Sequence, residues 1–563
     1  MGMEAPHPTI RRHFVTVGRR QVHYRRAGRG PAIVLCHQSP SSSRETVPLI
    51  ERLMGDFTVF ALDTPGNGLS DPLALEKPSA EDYARGLADT LDALGIRHCG
   101  IFGTHTGGCT ASEFARLFPE RVSVFVVDGV TCWTPQERAE ILANYLTPME
   151  IQWDGSHLVW LWSRFRQQAM FFPWYKAARS ARLDFDMPTP ERIQHQVLDF
   201  LRAGNEYRKP YAAAFMYEGD RYLAPIKTPG YLIALELDVL YAHFDRLPPL
   251  PSHIKVERLG RDRRALLDRV VAIFKRHPPS GDTPAVVRPK PIAGRTWQDY
   301  ADVRGGQLHL RRSDSGMGRP VLVQHDAASD NNVVRGATES FVDKRPVLAF
   351  DLPGNGESDN TIGHDNISCT TYAEVTRQAL ESMGVSACDY VGTWGSGFTG
   401  LELAKLKPGL VRNLVITHVI YHDATLRQEL IAHYTPDWQP DWYGGHLLFC
   451  WHAMRDQGIF WPWYERSRKG IIRREPYVDP NMVHRRVVSM MKCGNMWSRH
   501  YGAHWRYPAQ EELKRAPVPT VLAAPEGHPG TQQALGHASA LASVVIGNDM
   551  SGWAGALLPR LAA

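Results

Sequence analysis

No stretch of this sequence approaches the roughly 20 consecutive apolar residues that a membrane-crossing helix needs. The first 14 residues carry charge and proline but no apolar core of a leader. Met1-Gly2 is followed by Pro6 where a myristoylation signal wants Ser or Thr. The eight cysteines (Cys36, Cys99, Cys109, Cys132, Cys369, Cys388, Cys450, Cys493) form no CxxC pair, which argues against a zinc or disulfide framework and for reduced, buried thiols. Neither H-x-H nor H-E-x-x-H occurs, and carboxylates do not cluster beside histidines, so no metal or other cofactor is expected. Charge of one sign is also scarce: 64 Lys and Arg stand against 59 Asp and Glu, a formal +5 with no basic stripe, which excludes a nucleic-acid partner. A cytoplasmic protein with a small-molecule substrate, away from membranes, is the expectation.

At 563 residues the chain exceeds what one core supports, and its second half repeats its first. Gly155-Ser156-His157-Leu158, Trp162, Arg166 and Pro173-Trp174-Tyr175 recur as Gly444-Gly445-His446-Leu447, Trp451, Arg455 and Pro462-Trp463-Tyr464 at an offset of 289 (446 minus 157). Asp63-Thr64-Pro65-Gly66-Asn67-Gly68 recurs as Asp351-Leu352-Pro353-Gly354-Asn355-Gly356, and His37 as His325, at 288 (325 minus 37). Between the copies, proline at 278, 279, 284, 289 and 291 forbids regular structure. The expected organisation is a first domain over 1–280, a linker over 281–295 and a second domain over 296–563, two domains that would pack as a pseudo-dimer.

Each copy reads as an α/β unit. A hairpin from Phe14 to Arg25 precedes the apolar run Ala32 to Cys36, then a strand from Phe57 to Leu62 and a glycine-rich turn. A helix over Ala80 to Leu94 carries Tyr83, Leu87, Leu91 and Leu94 at helical spacing, followed by a strand from Cys99, a tight turn over Gly103 to Gly108, and a helix from Cys109 to Phe118. Strands alternating with helices predict a mostly parallel sheet covered on both faces.

The strings DTPGNGLSD (Asp63 to Asp71), DLPGNGESD (Asp351 to Asp359) and GIFGTHTGG (Gly100 to Gly108) resemble the α/β-hydrolase superfamily, in its cap-bearing branch of esterases, epoxide hydrolases and carbon-carbon hydrolases. The resemblance implies two tandem domains of that fold, each with a helical lid inserted after the sixth strand, over about 133–225 and 422–517. His157, Trp162 and Arg166 fall on one lid helix and are either lid packing or a polar ceiling over substrate.

The resemblance also says where the chemistry belongs. The nucleophile sits at the centre of G-x-Nuc-x-G, and there the first copy has His105 and the second Trp394. Ser396 has Trp394 and Phe398 where an elbow wants glycine, which argues against it as a nucleophile. The position of the acid falls on Asp238, with Asp128 as the alternative, and in the second copy on His528. The histidine position holds Gly260-Arg261-Asp262 and Gly547-Asn548-Asp549, so neither triad is complete. Backbone N–H groups of Gln38 and Thr106 remain for an oxyanion hole, while His37 is either a structural loop residue or a contact to substrate. His105, beside a helix N-terminus, is expected to have a pKa lowered below about 6.5 and to act as a neutral base.

Two functions follow as expectations. One is a hydrolase or lyase without a serine nucleophile, acting through His105 on a small carbonyl compound, with the second pocket plugged by Trp394. The other is a ligand-binding pseudoenzyme. His325, His446 and Arg455 are the second-copy counterparts of His37, His157 and Arg166.

Overall fold

The computed structural model describes residues 9–419, 423–526, 533, 535–536 and 541–561. It divides into two compact units, one comprising Thr9–Glu150 with His157–Lys290, the other Ile151–Ser156 with Pro291–Ala563. In the first, strands β1 (Arg11–Val17), β2 (Arg20–Ala27), β3 (Ala32–Cys36), β4 (Thr58–Leu62), β5 (Cys99–Thr104), β6 (Val122–Asp128), β7 (Gly230–Leu235) and β8 (Ile254–Leu259) form one sheet in the order β1-β2-β4-β3-β5-β6-β7-β8. The first three in that order pair antiparallel and all later neighbours parallel.

The second unit repeats this order with β9 (Trp297–Val303), β10 (Gly306–Ser313), β11 (Val321–Gln324), β12 (Val347–Phe350), β13 (Cys388–Thr393), β14 (Val411–Thr417), β15 (Thr520–Ala524) and β16 (Ala542–Val545).

The apolar run over β3 is a strand buried on both faces. Ile33 and Leu35 join one core cluster, and Ala32, Val34 and Cys36 the other, as a period of two requires. All eight cysteines are free and buried. Among the described residues no helix is long and apolar enough to cross a membrane.

The helix after β5 begins at Thr106, three residues earlier than its glycines suggest. Gly107 and Gly108 are there for close approach, not for a turn. A Cβ on Gly107 would lie 2.3 Å from the Cys36 carbonyl oxygen, and one on Gly108 would lie 2.6 Å from the Val127 side chain.

Between β6 and β7 the chain forms helices Pro135–Asn144, Ser156–Met170, Pro190–Ala203 and Arg208–Met216. Between β14 and β15 it forms Ala424–His433, Gly445–Asp456, Pro480–Cys493 and Met496–Arg506. On helix Ser156–Met170, His157 and Trp162 are buried, but the arginine taken into the interior is Arg164, two residues before the Arg166 singled out by sequence. Arg164 lies 5.2–5.8 Å from the ring centres of Tyr145, Phe165, Trp174, Phe200 and Tyr207 and donates to Gln168 Oε1 at 3.3 Å. In the second unit the equivalent position is Ala453, and Arg486 from the next helix hydrogen-bonds Gln457, the counterpart of Gln168. A guanidinium delivered to the same glutamine from different helices packs the insertion, which explains why Arg166 and Arg455 remain half-buried at its margin.

The proline-rich segment is held to the first unit. Gly30 N–H donates to Thr283 Oγ1 at 2.6 Å, Arg26 to the Pro284 carbonyl at 2.7 Å, and Lys290 N–H to Thr16 Oγ1 at 2.9 Å.

Candidate functional site

Parallel pairing places the C-terminal ends of β5, β6 and β7 side by side, with Thr104 opposite Asp128 and Asp128 opposite Ile233. His105 continues β5 with φ +47° and donates its backbone N–H to the Asp128 carbonyl at 3.0 Å. A β-carbon-bearing residue at positive φ is strained by about 1–3 kcal/mol, as at other sites where a turn aims a side chain outward. Behind it, Gly129 has φ +78°, and a Cβ there would lie 2.4 Å from the His105 ring, so only glycine leaves room for the imidazole.

The ring meets Asp238, on the turn after β7. His105 Nε2 lies 2.8 Å from Asp238 Oδ2, and Asp238 Oδ1 accepts the Leu240 N–H at 2.7 Å. Burial lowers the His105 pKa, but the carboxylate of Asp238, its hydrogen bond, and the charges of Asp128 and Glu45 raise it to about 9. Burial disfavours the Asp238 carboxylate, yet His105 and the Leu240 N–H hold it below its ordinary range.

The expected neutral base is therefore corrected to an imidazolium. A helix terminus contributes about 0.3–1 kcal/mol, whereas unit charges 4 Å apart near a surface interact by about 4 kcal/mol. The helix field was legible in the sequence; the contact with a residue 133 positions away was not.

Asp128, the alternative acid, is buried and paired through Oδ2 with Arg263. Its Oδ1 has no hydrogen-bond partner among the described residues. Arg263 was missed by sequence reasoning, although the Arg261-Asp262-Arg263 run stands where the family's histidine loop would be. Arg261 itself points to Asp184 and Glu236 in exposed pairs.

His37 does not face an open site. Its Nδ1 donates to the Gln38 carbonyl at 2.7 Å and its Nε2 accepts the Thr64 N–H at 3.0 Å, so the ring clips the loop after β3 to the turn after β4. His325 makes the same two bonds, to the Asp326 carbonyl at 2.7 Å and from the Leu352 N–H at 2.9 Å. The Gln38 side chain donates to Glu45, and Thr106 Oγ1 accepts the Ser39 N–H at 2.7 Å. Thr106 thus opens the helix after the elbow, next to the loop that carries Gln38.

The second elbow differs. Trp394 also has positive φ, +52°, but the glycine that accommodates His105 is replaced by His418, and the indole stacks on that ring with centroids 5.1 Å apart. Trp394 is 38% exposed and so is not the expected plug. Trp394→Ala is accordingly expected to lower stability by less than about 1 kcal/mol, against the roughly 3–5 kcal/mol of a buried aromatic; thermal unfolding of wild type and variant measures the difference.

Ser396 is buried, and its single O–H is shared between the Gln324 and Thr393 carbonyls at 3.0 and 2.8 Å, which leaves the hydroxyl engaged. His446 lies 3.1 Å from Asp441 and is stacked on Trp438, a helix-start arrangement within the insertion. His528 lies outside the described residues. No group of three or more His, Cys, Asp or Glu among the described residues is spaced to hold a metal ion.

Comparison with known proteins bears on the fold. Residues 31–151 match the family model for the alpha/beta hydrolase fold. The chain is 29% identical over 115 residues to 2-hydroxy-6-oxo-6-phenylhexa-2,4-dienoate hydrolase of Comamonas testosteroni, covering 19% of this chain and 39% of that protein. It is 36% identical over 120 residues to 2-hydroxy-6-oxononadienedioate/2-hydroxy-6-oxononatrienedioate hydrolase of Paraburkholderia xenovorans, covering 20% and 40%. The matched region thus spans about two fifths of the length of these curated relatives. Among solved structures, the enol-lactonase of Burkholderia xenovorans aligns with a TM-score of 0.37 at 18% identity, over 46% of this chain and 99% of that one. Residues 31–151 thus carry the signature of the alpha/beta hydrolase fold, and because the same sheet order occurs in both units, each is an α/β-hydrolase-like domain.

Proposed function

We propose that the first unit is an enzyme of hydrolase or lyase type that acts on a small carbonyl-containing substrate without an acyl-enzyme, with His105 as proton donor and Asp238 as the group that charges and orients it. The observation that carries this reading is the 2.8 Å contact between His105 Nε2 and Asp238 Oδ2 at the apex of the elbow. With Nε2–H given to Asp238, the other ring nitrogen carries the proton that a substrate carbonyl oxygen would receive as negative charge develops on it. Backbone N–H groups of Gln38 and Thr106 are the proposed oxyanion donors, and the unpartnered Asp128 Oδ1 is the proposed acceptor for a substrate hydroxyl.

The helical insertion acts as the lid over this site, with His157 and Trp162 as its packing and Arg166 at its rim. The carbon-carbon hydrolases among the relatives are named for oxo-acid substrates, which is the basis for proposing a carbonyl compound here. We place the domain limits at 1–280 and 296–563.

A second reading, a ligand-binding protein without turnover, is favoured by one observation: Arg261 and Asp262 occupy the loop that would bear the catalytic histidine. A panel of 2-hydroxy-6-oxo-dienoic acids and related β-dicarbonyl compounds separates the two. The enzyme reading expects turnover that survives a serine-directed fluorophosphonate and is lost in Asp238→Asn. Saturable binding with no product from any of them would leave the binding reading in its place.

A further inference from the structure

The second unit is not a degraded copy of the first at its elbow; it has been rebuilt. Three substitutions remove bulk or change charge around the turn: Gln38 is replaced by Asp326, Ser39 by Ala327 and Thr106 by Gly395. Two others, on the last long helix of the insertion, bring in polar rings. The helices Arg208–Met216 and Met496–Arg506 align at an offset of 290 (501 minus 211). The packing of Tyr145 on Tyr211 (5.5 Å, 57°) reappears as Tyr434 on Tyr501 (5.4 Å, 56°). At that offset His500 replaces Pro210 and His504 replaces Ala214.

These changes fit one another in space. The His504 ring occupies the volume that a side chain at position 395 would need, since a Cβ on Gly395 would lie 2.1 Å from it. His504 Nδ1 lies 3.1 Å from Asp326 Oδ1. His500 packs between Tyr372 and His504, with ring centroids 4.4 and 4.5 Å away.

His500 is 0% and His504 6% exposed, yet both nitrogens of His500 and Nε2 of His504 have no hydrogen-bond partner among the described residues, while Nδ1 of His504 is the atom that meets Asp326. Buried histidine nitrogens with no protein partner take one from outside the chain, either water or a bound molecule. His325 is not part of this set, because both its nitrogens are engaged by backbone. Asp326 and Gly395 are partly exposed, so the group opens to solvent at the elbow and closes at His500.

We propose that the second unit holds its own ligand site at this elbow, formed by Asp326, His500 and His504, and that it takes a small organic ammonium ion. The charge and the surroundings select that class. Burial, reinforced by His504 and His325, pushes the His500 imidazole well below its ordinary range, so it is a neutral acceptor. Lys492 is paired with Asp330 and Glu357 at 3.4 and 2.9 Å, and the basic side chain that meets Asp326 is His504 through Nδ1, which leaves the His504 Nε2 side of the group to a ligand. The Tyr372 ring packed on His500 at 4.4 Å sets an aromatic face of the kind that receives organic cations at the closed end of the group. An anion would meet a carboxylate where the first unit has neutral Gln38.

Benzylamine tests this in the full-length protein, with benzyl alcohol and benzoate as neutral and anionic isosteres, by titration calorimetry. The expected result is one saturable benzylamine site, with benzoate failing to compete. Asp326→Gln, which installs the residue the first unit tolerates at Gln38, is expected to weaken binding at least about tenfold, in line with loss of a charge-assisted hydrogen bond. His504→Phe is expected to weaken it as well, and thermal unfolding checks that both variants remain folded. His105→Ala is expected to leave benzylamine affinity unchanged, which separates this site from the one in the first unit. Absence of saturable benzylamine binding, equal competition by benzoate, or full affinity in a folded Asp326→Gln variant would overturn the proposal.

Discussion

Replacing His105 by alanine is expected to lower turnover by about a hundredfold or more, the usual scale for loss of a positioned proton donor, and wild-type activity is expected to fall as pH rises through about 9. The sign follows from the partner. The Asp238 carboxylate favours the charged imidazole, so the donor form persists at neutral pH and is lost only when the pH exceeds the raised pKa. Asp238, held below its usual range, stays ionised across that interval and contributes no second limb near neutrality.

A base with a depressed pKa would show the reverse, activity lost on acidification through pH 6. The same linkage acts on stability: the His105–Asp238 pair contributes fully below the unfolded histidine value of about 6.5, and that contribution disappears as pH rises through about 9. His105→Ser would restore the elbow serine without esterase activity, because Gly260-Arg261-Asp262 in the loop after β8 supply no histidine to activate it. An alanine variant that turns substrate over at the wild-type rate would remove His105 from the mechanism.

Asp63→Ala is expected to destabilise the first unit by about 3–5 kcal/mol, the scale for stranding several buried hydrogen-bond donors at about 1–3 kcal/mol each. Asp63 is buried and gathers three donors from three segments: His23 Nδ1 at 2.8 Å, the Ser43 N–H at 2.7 Å and the Leu69 N–H at 2.9 Å. Alanine would remove the acceptor of His23 Nδ1 and of two backbone N–H groups. Burial opposes ionisation of Asp63, but His23 and the Ser43 donor outweigh it and hold the carboxyl well below its ordinary range.

Stability from a depressed carboxyl is present above the unfolded aspartate value of about 3.9 and is lost as pH falls below it. Asp351 repeats the arrangement with His309, Asn331 N–H and Glu357 N–H at 2.8, 2.7 and 2.9 Å. The variant should therefore lower the unfolding transition of the first unit and leave that of the second in place, which differential scanning calorimetry resolves. A loss below about 1 kcal/mol would show that the turn holds without its carboxylate.

The two Asp-x-Pro-Gly-Asn-Gly turns were legible as turns because their glycines and aspartates stand in sequence; Gly66 and Gly68 do adopt positive φ. What the aspartate is for was not legible, since His23 arrives from a neighbouring strand. Sequence reasoning likewise found Arg166 by its repeat and missed Arg164, because burial on that helix is set by the aromatic residues that surround it. It read Trp394 as a plug because the position was right, whereas the exchange of Gly129 for His418, which carries the indole outward, acts through a neighbouring strand.

By itself the sequence determined the duplication, the sheet that each copy forms and the elbow positions of His105 and Trp394. These rest on constant offsets, on a period of two along apolar runs and on glycines at fixed spacings, all of which are local or repeated. Only the tertiary structure decided the charge of His105, the occupation of His37 and His325 by backbone, and the meeting of Asp326 with His504. Each of those depends on which side chains from distant segments share a volume of a few ångströms, and electrostatics at that range outweighs the local helix field that a sequence displays.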